Sequence, residues 1–208
     1  MNYWFSSDLH IGHKRILGYC ARTIFMTKED RIKFENFPKE NLRQFEFSDE
    51  SLNNMNEGLI SRWNSRVKKD DQVFHIGDFG FYGSGIVTGE GSNINPKSYE
   101  ERLNGKILQI AGNHDKRSNH TKFIIERAVI KLGGYRLNLV HNPAHCDYNY
   151  KINLCGHVHN NWEIQRFKEN DKTTDVINCG TDVWNFYPVS INEILARHTA
   201  WKKTYANK

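Results

Sequence analysis

The chain has 208 residues, 38% of them hydrophobic, 12% aromatic and 25% charged, a composition that suits one globular domain with a sizeable core. Its net charge of +5 is compatible with a phosphate-bearing substrate, but the Lys and Arg are scattered rather than gathered into the basic blocks of a nucleic-acid-binding module. No apolar run is long enough to span a bilayer and no N-terminal signal peptide is read; Cys20, Cys146, Cys155 and Cys179 are dispersed without a C-x-x-C, which argues against a zinc ribbon or a disulfide framework. The expectation is a cytoplasmic protein with reduced thiols and no membrane partner.

Residues 2–7 (N-Y-W-F-S-S) read as a first, central strand, followed by Asp8-Leu9-His10. In an extended chain residues two apart share a face, so Asp8 and His10 are expected to point together and Leu9 into the core. Gly12-His13-Lys14 begins a helix whose apolar side is Ile16, Leu17 and Cys20. His13 stands either near the same site or exposed at the helix start. Residues 27–50 are charged and irregular, with Phe34, Phe37, Phe45 and Phe47 spread through them. Four aromatics predict a packed excursion, either walling a substrate pocket or pinning a loop to the core. Ser48 or Asp49 caps a helix through Arg66, whose apolar positions Leu52, Met55, Leu59, Trp63 and Val67 recur at three- and four-residue steps.

Residues 73–79 (V-F-H-I-G-D-F) predict a buried parallel strand that Gly77 stops and that delivers Asp78 at its carboxyl end, where open α/β sheets collect ligands. His75 falls on the opposite face and reads as a hydrogen-bonded core histidine. Residues 81–95 are glycine-rich without the Gly-Lys-Ser/Thr ending of a P-loop, and read as a loop beside Asp78. Asn95-Pro96 starts a short helix through Leu103. Residues 106–111 form a strand that runs into Gly112-Asn113-His114-Asp115, and residues 135–140 one that ends at His141. The strand 152–155 ends in Gly156-His157-Val158-His159. Residues 176–179 lead to Gly180, residues 184–191 make a last aromatic strand, and 198–208 are a basic, frayed tail.

Asp8/His10, Asp78, Asn113/His114, His141 and His157/His159 thus stand at five separate strand ends. Their order and contents resemble the calcineurin-like metallophosphoesterase superfamily, whose signature runs D-x-H, G-D, G-N-H-D/E, H and G-H-x-H. The resemblance implies an α/β fold of the α+β sandwich type, two mixed β-sheets packed face to face and flanked by helices in four layers. It implies one domain over residues 1–208, with insertions near 27–50 and 81–95. It implies two divalent metal ions, one held by Asp8, His10 and His159, the other by Asn113, His141 and His157, with Asp78 bridging them. His114 would then act as general acid with Asp115 fixing its orientation. The donor set, oxygen and imidazole without thiolate, suits Mn, Fe, Ni or Zn.

The activity so implied is hydrolysis of a phosphodiester or phosphomonoester by attack of metal-bound hydroxide, with the diester favoured and substrates extending to nucleotides or nucleic acid. The alternatives are a catalytically inactive scaffold of the same fold, against which all seven ligand positions being filled counts, and a nuclease within the family. The sequence leaves the oligomeric state open.

Overall fold

The computed structural model describes residues 1–80, 96–115 and 125–206. Three short apolar runs make the parallel part of a first sheet: β1 (Tyr3–Ser6), β2 (Gln72–Ile76) and β3 (Lys106–Ile110). The two-residue β9 (Val189–Ser190) pairs antiparallel with β1, giving the order β3-β2-β1-β9. β2 is apolar nearly throughout because both its faces are covered. Val73 enters one hydrophobic cluster, and Phe74 and Ile76 enter another.

The second sheet contains β4 (Arg127–Leu132), β5 (Tyr135–Val140), β6 (Ile152–Cys155), β7 (Ile164–Glu169) and β8 (Lys172–Asn178), in the order β4-β5-β6-β8-β7. β5, β6 and β8 run parallel, and the edge strands β4 and β7 antiparallel. Phe5, Phe74, Ile76 and Ile110 of the first sheet share one buried cluster with Leu137, Leu139, Ile152, Leu154 and Ile177 of the second. That cluster joins two mixed sheets into the expected α/β sandwich.

The long helix is the best-read element. It runs Asp49–Arg66 and is capped by the Ser48 hydroxyl, which accepts the Ser51 N–H at 3.1 Å. Its Leu52, Met55, Leu59 and Trp63 fill the cluster that Val73 enters. We label it α3, after α1 (Ile16–Tyr19), shorter than the helix expected from Gly12, and α2 (Lys28–Glu35). α2 corrects the expectation of an irregular segment: Thr27 caps it by accepting the Asp30 N–H, with Glu29 and Asp30 in the first turn, and a 3-10 helix follows over Lys39–Gln44. Phe45 and Phe47 are core residues with ring centroids 4.5 Å apart, and Phe34 and Phe37 pack against the same cluster. The phenylalanines therefore pin the segment to the core.

Four further expectations are corrected. The strand over 184–191 is instead an irregular turn over residues 184–188, which follows a 3-10 helix (Thr181–Val183), then β9, then the start of the long helix α5 (Ile191–Ala206). The reason is a reciprocal cap in S-I-N-E: Ser190 Oγ accepts the Glu193 N–H while Glu193 Oε2 accepts the Ser190 N–H. The tail is accordingly helical to Ala206, and its His198 is buried, with Nε2 at 2.7 Å from Asp175 Oδ2 of β8. His75 is buried as expected but not hydrogen-bonded. Both its ring nitrogens lack a partner, and it lies between the Trp63 and Phe79 rings, where burial pushes its pKa down to about 3 and keeps it neutral. The helix begun by Pro96 is α4 (Pro96–Glu100), ending short of Leu103. The glycine-rich loop 81–95 and the Asn95 cap lie outside the described residues.

Candidate metal centre

Parallel strands deliver the residues at their carboxyl ends to the same edge of a sheet, and here both sheets do so. The ends of β1, β2 and β3 carry Asp8/His10, Asp78 and Asn113/His114, and those of β5 and β6 carry His141 and His157/His159. The backbone at these ends is not extended. Asp8, His10, Asp78, His157 and His159 have φ of 57°, 53°, 54°, 72° and 48°, five of the nine non-glycine residues with positive φ among those described. Asp8 and His10 therefore converge through left-handed turns, a correction to the extended-chain reading. Such conformations are costly and gather at functional sites. The turns are held by neighbouring backbone: Asp8 N–H donates to Gly77 O at 3.0 Å, His10 N–H to Asp78 O at 3.1 Å and Ile11 N–H to Phe79 O at 3.0 Å.

Two motif glycines are required for this approach. A Cβ on Gly112 would lie 2.0 Å from Asp78 Oδ1, and one on Gly156 would lie 1.9 Å from Ser7 Oγ and 2.5 Å from Asp8 Oδ2.

The potential ligand atoms then fall into overlapping trios, each within 4.8 Å: Asp8/His10/His159, His10/Asp78/His114 and Asp78/His141/His157. Asn113 joins the last, its Oδ1 lying 3.2 Å from His141 Nε2 and 3.0 Å from His157 Nδ1. Every sequence-predicted ligand position is thus brought into one cluster. Asp8, His10, Asp78 and His141 are buried, His157 and His159 half-buried, and Asn113 exposed. A cleft of about 250 Å³ lies against Asn113 and His141, with Glu126 and His145 among its lining residues.

The donor set fits divalent cations. His10 Nε2 is buried without a hydrogen-bond partner, 3.9 Å from Asp8 Oδ1 and 3.6 Å from Asp78 Oδ2, too far for hydrogen bonds. A nitrogen left so among carboxylates needs a further partner. His141 is oriented for ligation as well: Nδ1–H donates to Ile76 O at 2.8 Å, leaving Nε2 to the cluster, 3.3 Å from Asp78 Oδ2.

Charge in the cluster is uneven. Burial, with His13 and His159 nearby, holds His10 well below the ordinary imidazole range, and burial raises Asp8. Burial would lower His141 too, but the Asp78 carboxylate and Asp8 outweigh it and carry it up to about 9. Asp78 is burdened by the same burial, yet its contacts with His141 and the His114 N–H hold it below the usual carboxylate value.

His114 donates its backbone N–H to Asp78 Oδ1 at 3.0 Å and sets its ring Nε2 3.9 Å from Asp78 Oδ2. Asp115 does something other than expected. Its Oδ2 accepts the N–H groups of Asp78 (2.7 Å) and Gly112 (2.9 Å), and its Oδ1 that of Phe79 (3.2 Å). It staples the β2 and β3 ends together through backbone amides, in place of the expected role of orienting the His114 imidazole. His13, read two ways in the sequence, faces the cluster: it is buried, its Nδ1 is 3.3 Å from His10 Nδ1, and its ring centroid is 6.1 Å from that of His114.

Sequence reasoning missed Asp182 and Arg22. Asp182 follows the end of β8, as Asp78 follows that of β2, and Thr181 N–H donates to Ser7 O. The signal was available: an acid two residues past a strand-ending glycine, in C-G-T-D. Its Oδ2 lies 3.0 Å from His159 Nδ1, and the guanidinium of the fully buried Arg22 binds both its oxygens, Nε to Oδ1 at 2.8 Å and Nη2 to Oδ2 at 3.0 Å. Burial would raise Asp182, but Arg22 and His159 hold it down at about 2. Burial would likewise lower His159, which its hydrogen bonds, that to Asp182 first, carry up to about 10.

No family model matches the chain. The uncharacterized protein MJ1445 of Methanocaldococcus jannaschii is 28% identical over 194 residues, 91% of this chain and 86% of that protein. Among solved structures, AQ665 of Aquifex aeolicus, a protein of unknown function, superposes with a TM-score of 0.59 at 18% identity, covering 93% of this chain and 97% of that one. The chain shares with AQ665 the fold described above, an α/β sandwich of two mixed sheets. Yfce, a phosphoesterase from E. coli, is 17% identical over 86% of this chain and 78% of its own, at a TM-score of 0.37, a likeness too loose to carry residues or activity across. Among the described residues, no helix is long and apolar enough to cross a membrane.

Proposed function

We propose that the chain is a dinuclear-metal phosphoesterase that hydrolyses phosphate esters, diesters ahead of monoesters. The observation that carries this reading is the pair of trios, Asp8/His10/His159 and Asp78/His141/His157, linked by a third, His10/Asp78/His114, with the unpartnered His10 Nε2 3.6 Å from Asp78 Oδ2. In this reading Asp8, His10 and His159 hold one ion and Asn113, His141 and His157 the other. Asp78 stands between and serves both. Divalent cations bound there, Mn, Fe, Ni or Zn, supply Lewis acidity that activates water and neutralises phosphoryl oxygens.

The chain's own groups do the rest. The Ile76 carbonyl accepts the Nδ1–H of His141, so Nε2 is the nitrogen that ring would offer inward to an ion, losing its own proton as it does so. Asp115, by bonding the amides of Asp78, Phe79 and Gly112, fixes the two loops that carry Asp78, Asn113 and His114. His114 is tied through its backbone to Asp78 Oδ1, which sets its imidazole beside the bridging carboxylate. From there it donates a proton to the leaving oxygen, an effect typically worth about 10²–10⁴-fold.

The test is a Mn²⁺-supplemented panel of phosphomonoesters, phosphodiesters, cyclic nucleotides and short nucleic acids, run on the wild type and on His114→Ala, each with a chelator control. Hydrolysis that the chelator removes is expected, and His114→Ala should slow esters with poor leaving groups most. A metal-loaded wild type inert across the panel overturns the enzyme reading in favour of a scaffold. Equal slowing for good and poor leaving groups removes the general-acid role of His114.

A further inference from the structure

We propose that Asp182 and Arg22 are positioning residues of the metal centre, Asp182 fixing the tautomer in which His159 offers Nε2 to an ion, and Arg22 anchoring both Asp182 and the Asp8–His10 turn. Their roles presuppose the proposed metal centre and extend it to two residues outside the signature motifs.

Arg22 is fully buried, and a buried guanidinium persists only where its donors are satisfied and its charge is met. Its donors are shared between two places. Nε and Nη2 grip the Asp182 carboxylate at 2.8 and 3.0 Å. Nη2 also donates to Asp8 O at 2.7 Å and Nη1 to Leu9 O at 2.9 Å. One rigid, planar group thus ties the backbone of the positive-φ turn bearing Asp8 and His10 to the acid behind His159. Thr181 reinforces the tie, its hydroxyl donating to Asp8 O at 3.2 Å. All three side chains of the first trio are therefore referred to one buried ion pair.

At His159 the geometry is that of a carboxylate–histidine–metal relay. Nδ1 lies 3.0 Å from Asp182 Oδ2, so an anionic Asp182 keeps the proton on Nδ1, and the nitrogen left for Asp8 and His10 is Nε2. A rival arrangement is present on the same residues, since Cys20, His159 and Asp182 also offer atoms within 4.8 Å of one another. Arg22 decides against a cation there. Its fixed positive charge already occupies both Asp182 oxygens and would repel a divalent ion beside them.

The experiment measures Mn²⁺ binding by calorimetry on the wild type and Asp182→Asn, with the melting temperature of each metal-free protein. In either orientation the new amide sets an NH₂ against a guanidinium N–H or against His159, and the negative charge is gone. Affinity at one of two sites is expected to fall about 10–100-fold. An Asp182→Asn protein that melts near the wild type yet binds both ions equally well overturns the proposal while leaving the metal centre intact. A wild type that binds no divalent ion overturns both. The second measurement needs no variant: nitrogen-15 spectra of the Zn²⁺-loaded wild type should show His159 protonated on Nδ1 with the metal on Nε2. The reverse tautomer, which a purely structural ion pair would tolerate, overturns the assignment.

Discussion

At the scale of single residues, the centre depends on which atoms are left out as much as on which are present. Gly112 is the clearest case, since a methyl group there would meet the Asp78 carboxylate oxygen at 2.0 Å with backbone close behind, Asp78 N at 2.4 Å. Gly112→Ala is expected to displace Asp78 and weaken metal binding by an order of magnitude or more while leaving the far-ultraviolet circular dichroism unchanged. Calorimetry with Mn²⁺ checks it, and undiminished affinity would show that the β2 and β3 ends yield more easily than the contact suggests. The ligand types were legible from sequence because a carboxylate or imidazole after an apolar run and a glycine is an unusual thing to place at a strand end five times over. How they converge was not legible. Alternation along an extended strand gave Asp8 and His10 a common direction for the wrong reason, as left-handed φ values at both residues do that work. Asp115 was assigned by adjacency to His114, whereas its oxygens meet three backbone amides. Asp182 lies 23 residues from the histidine it touches, a separation that no local pattern spans.

At the scale of elements, legibility followed burial. The strands β1, β2, β3 and β6 showed as apolar runs, β5 as a polar–apolar alternation (Y-R-L-N-L-V), and α3 as a three- and four-residue rhythm with a serine or aspartate cap. β4 and β7 escaped because edge strands with one exposed face carry charges, R-A-V-I-K-L and I-Q-R-F-K-E, that break an apolar run. α5 escaped because its basic outer face obscured the apolar positions Ile191, Ile194, Leu195 and Trp201. That helix is locked to β8 through His198 and Asp175, with Arg166 of β7 gripping the same carboxylate at 2.7 and 3.0 Å. Burial alone would raise Asp175, but His198 and Arg166 bring it down from 3.8 to about 2. A carboxyl depressed by folding adds stability above its unfolded value and loses it as pH falls through the folded one. The window here is therefore about pH 4 down to 2. The contribution is about 1–2 kcal/mol, allowing for screening at the partly exposed Arg166. Asp175→Asn should be less stable than the wild type by that amount at pH 5, and the gap should close as pH falls toward 2. Urea denaturation across the range measures it, and a gap that stays constant would remove the ion pair from the account.

At the scale of the whole molecule, neither sheet holds the centre alone. Asp8, His10, Asp78 and Asn113 come from the ends of one, and His141, His157 and His159 from those of the other. The contacts crossing between them include the His157 N–H to both Asp8 oxygens at 3.0 Å and the His159–Asp182–Arg22 chain. An ion that binds only the assembled form stabilises by about 2.7 kcal/mol at one hundred times its dissociation constant. For a chain of this size that is a rise of about 5–10 °C in melting temperature. Scanning calorimetry with Mn²⁺ and then excess chelator should show the rise and its reversal, and an unmoved transition would count against ion binding by these donors. A nascent chain that has formed only β1, β2 and β3 of the first sheet presents four isolated donors with no facing partners, and ions would leave it quickly. Capture becomes lasting once the second sheet arrives, so cation uptake in this fold reports that the two halves have met and resists their later separation.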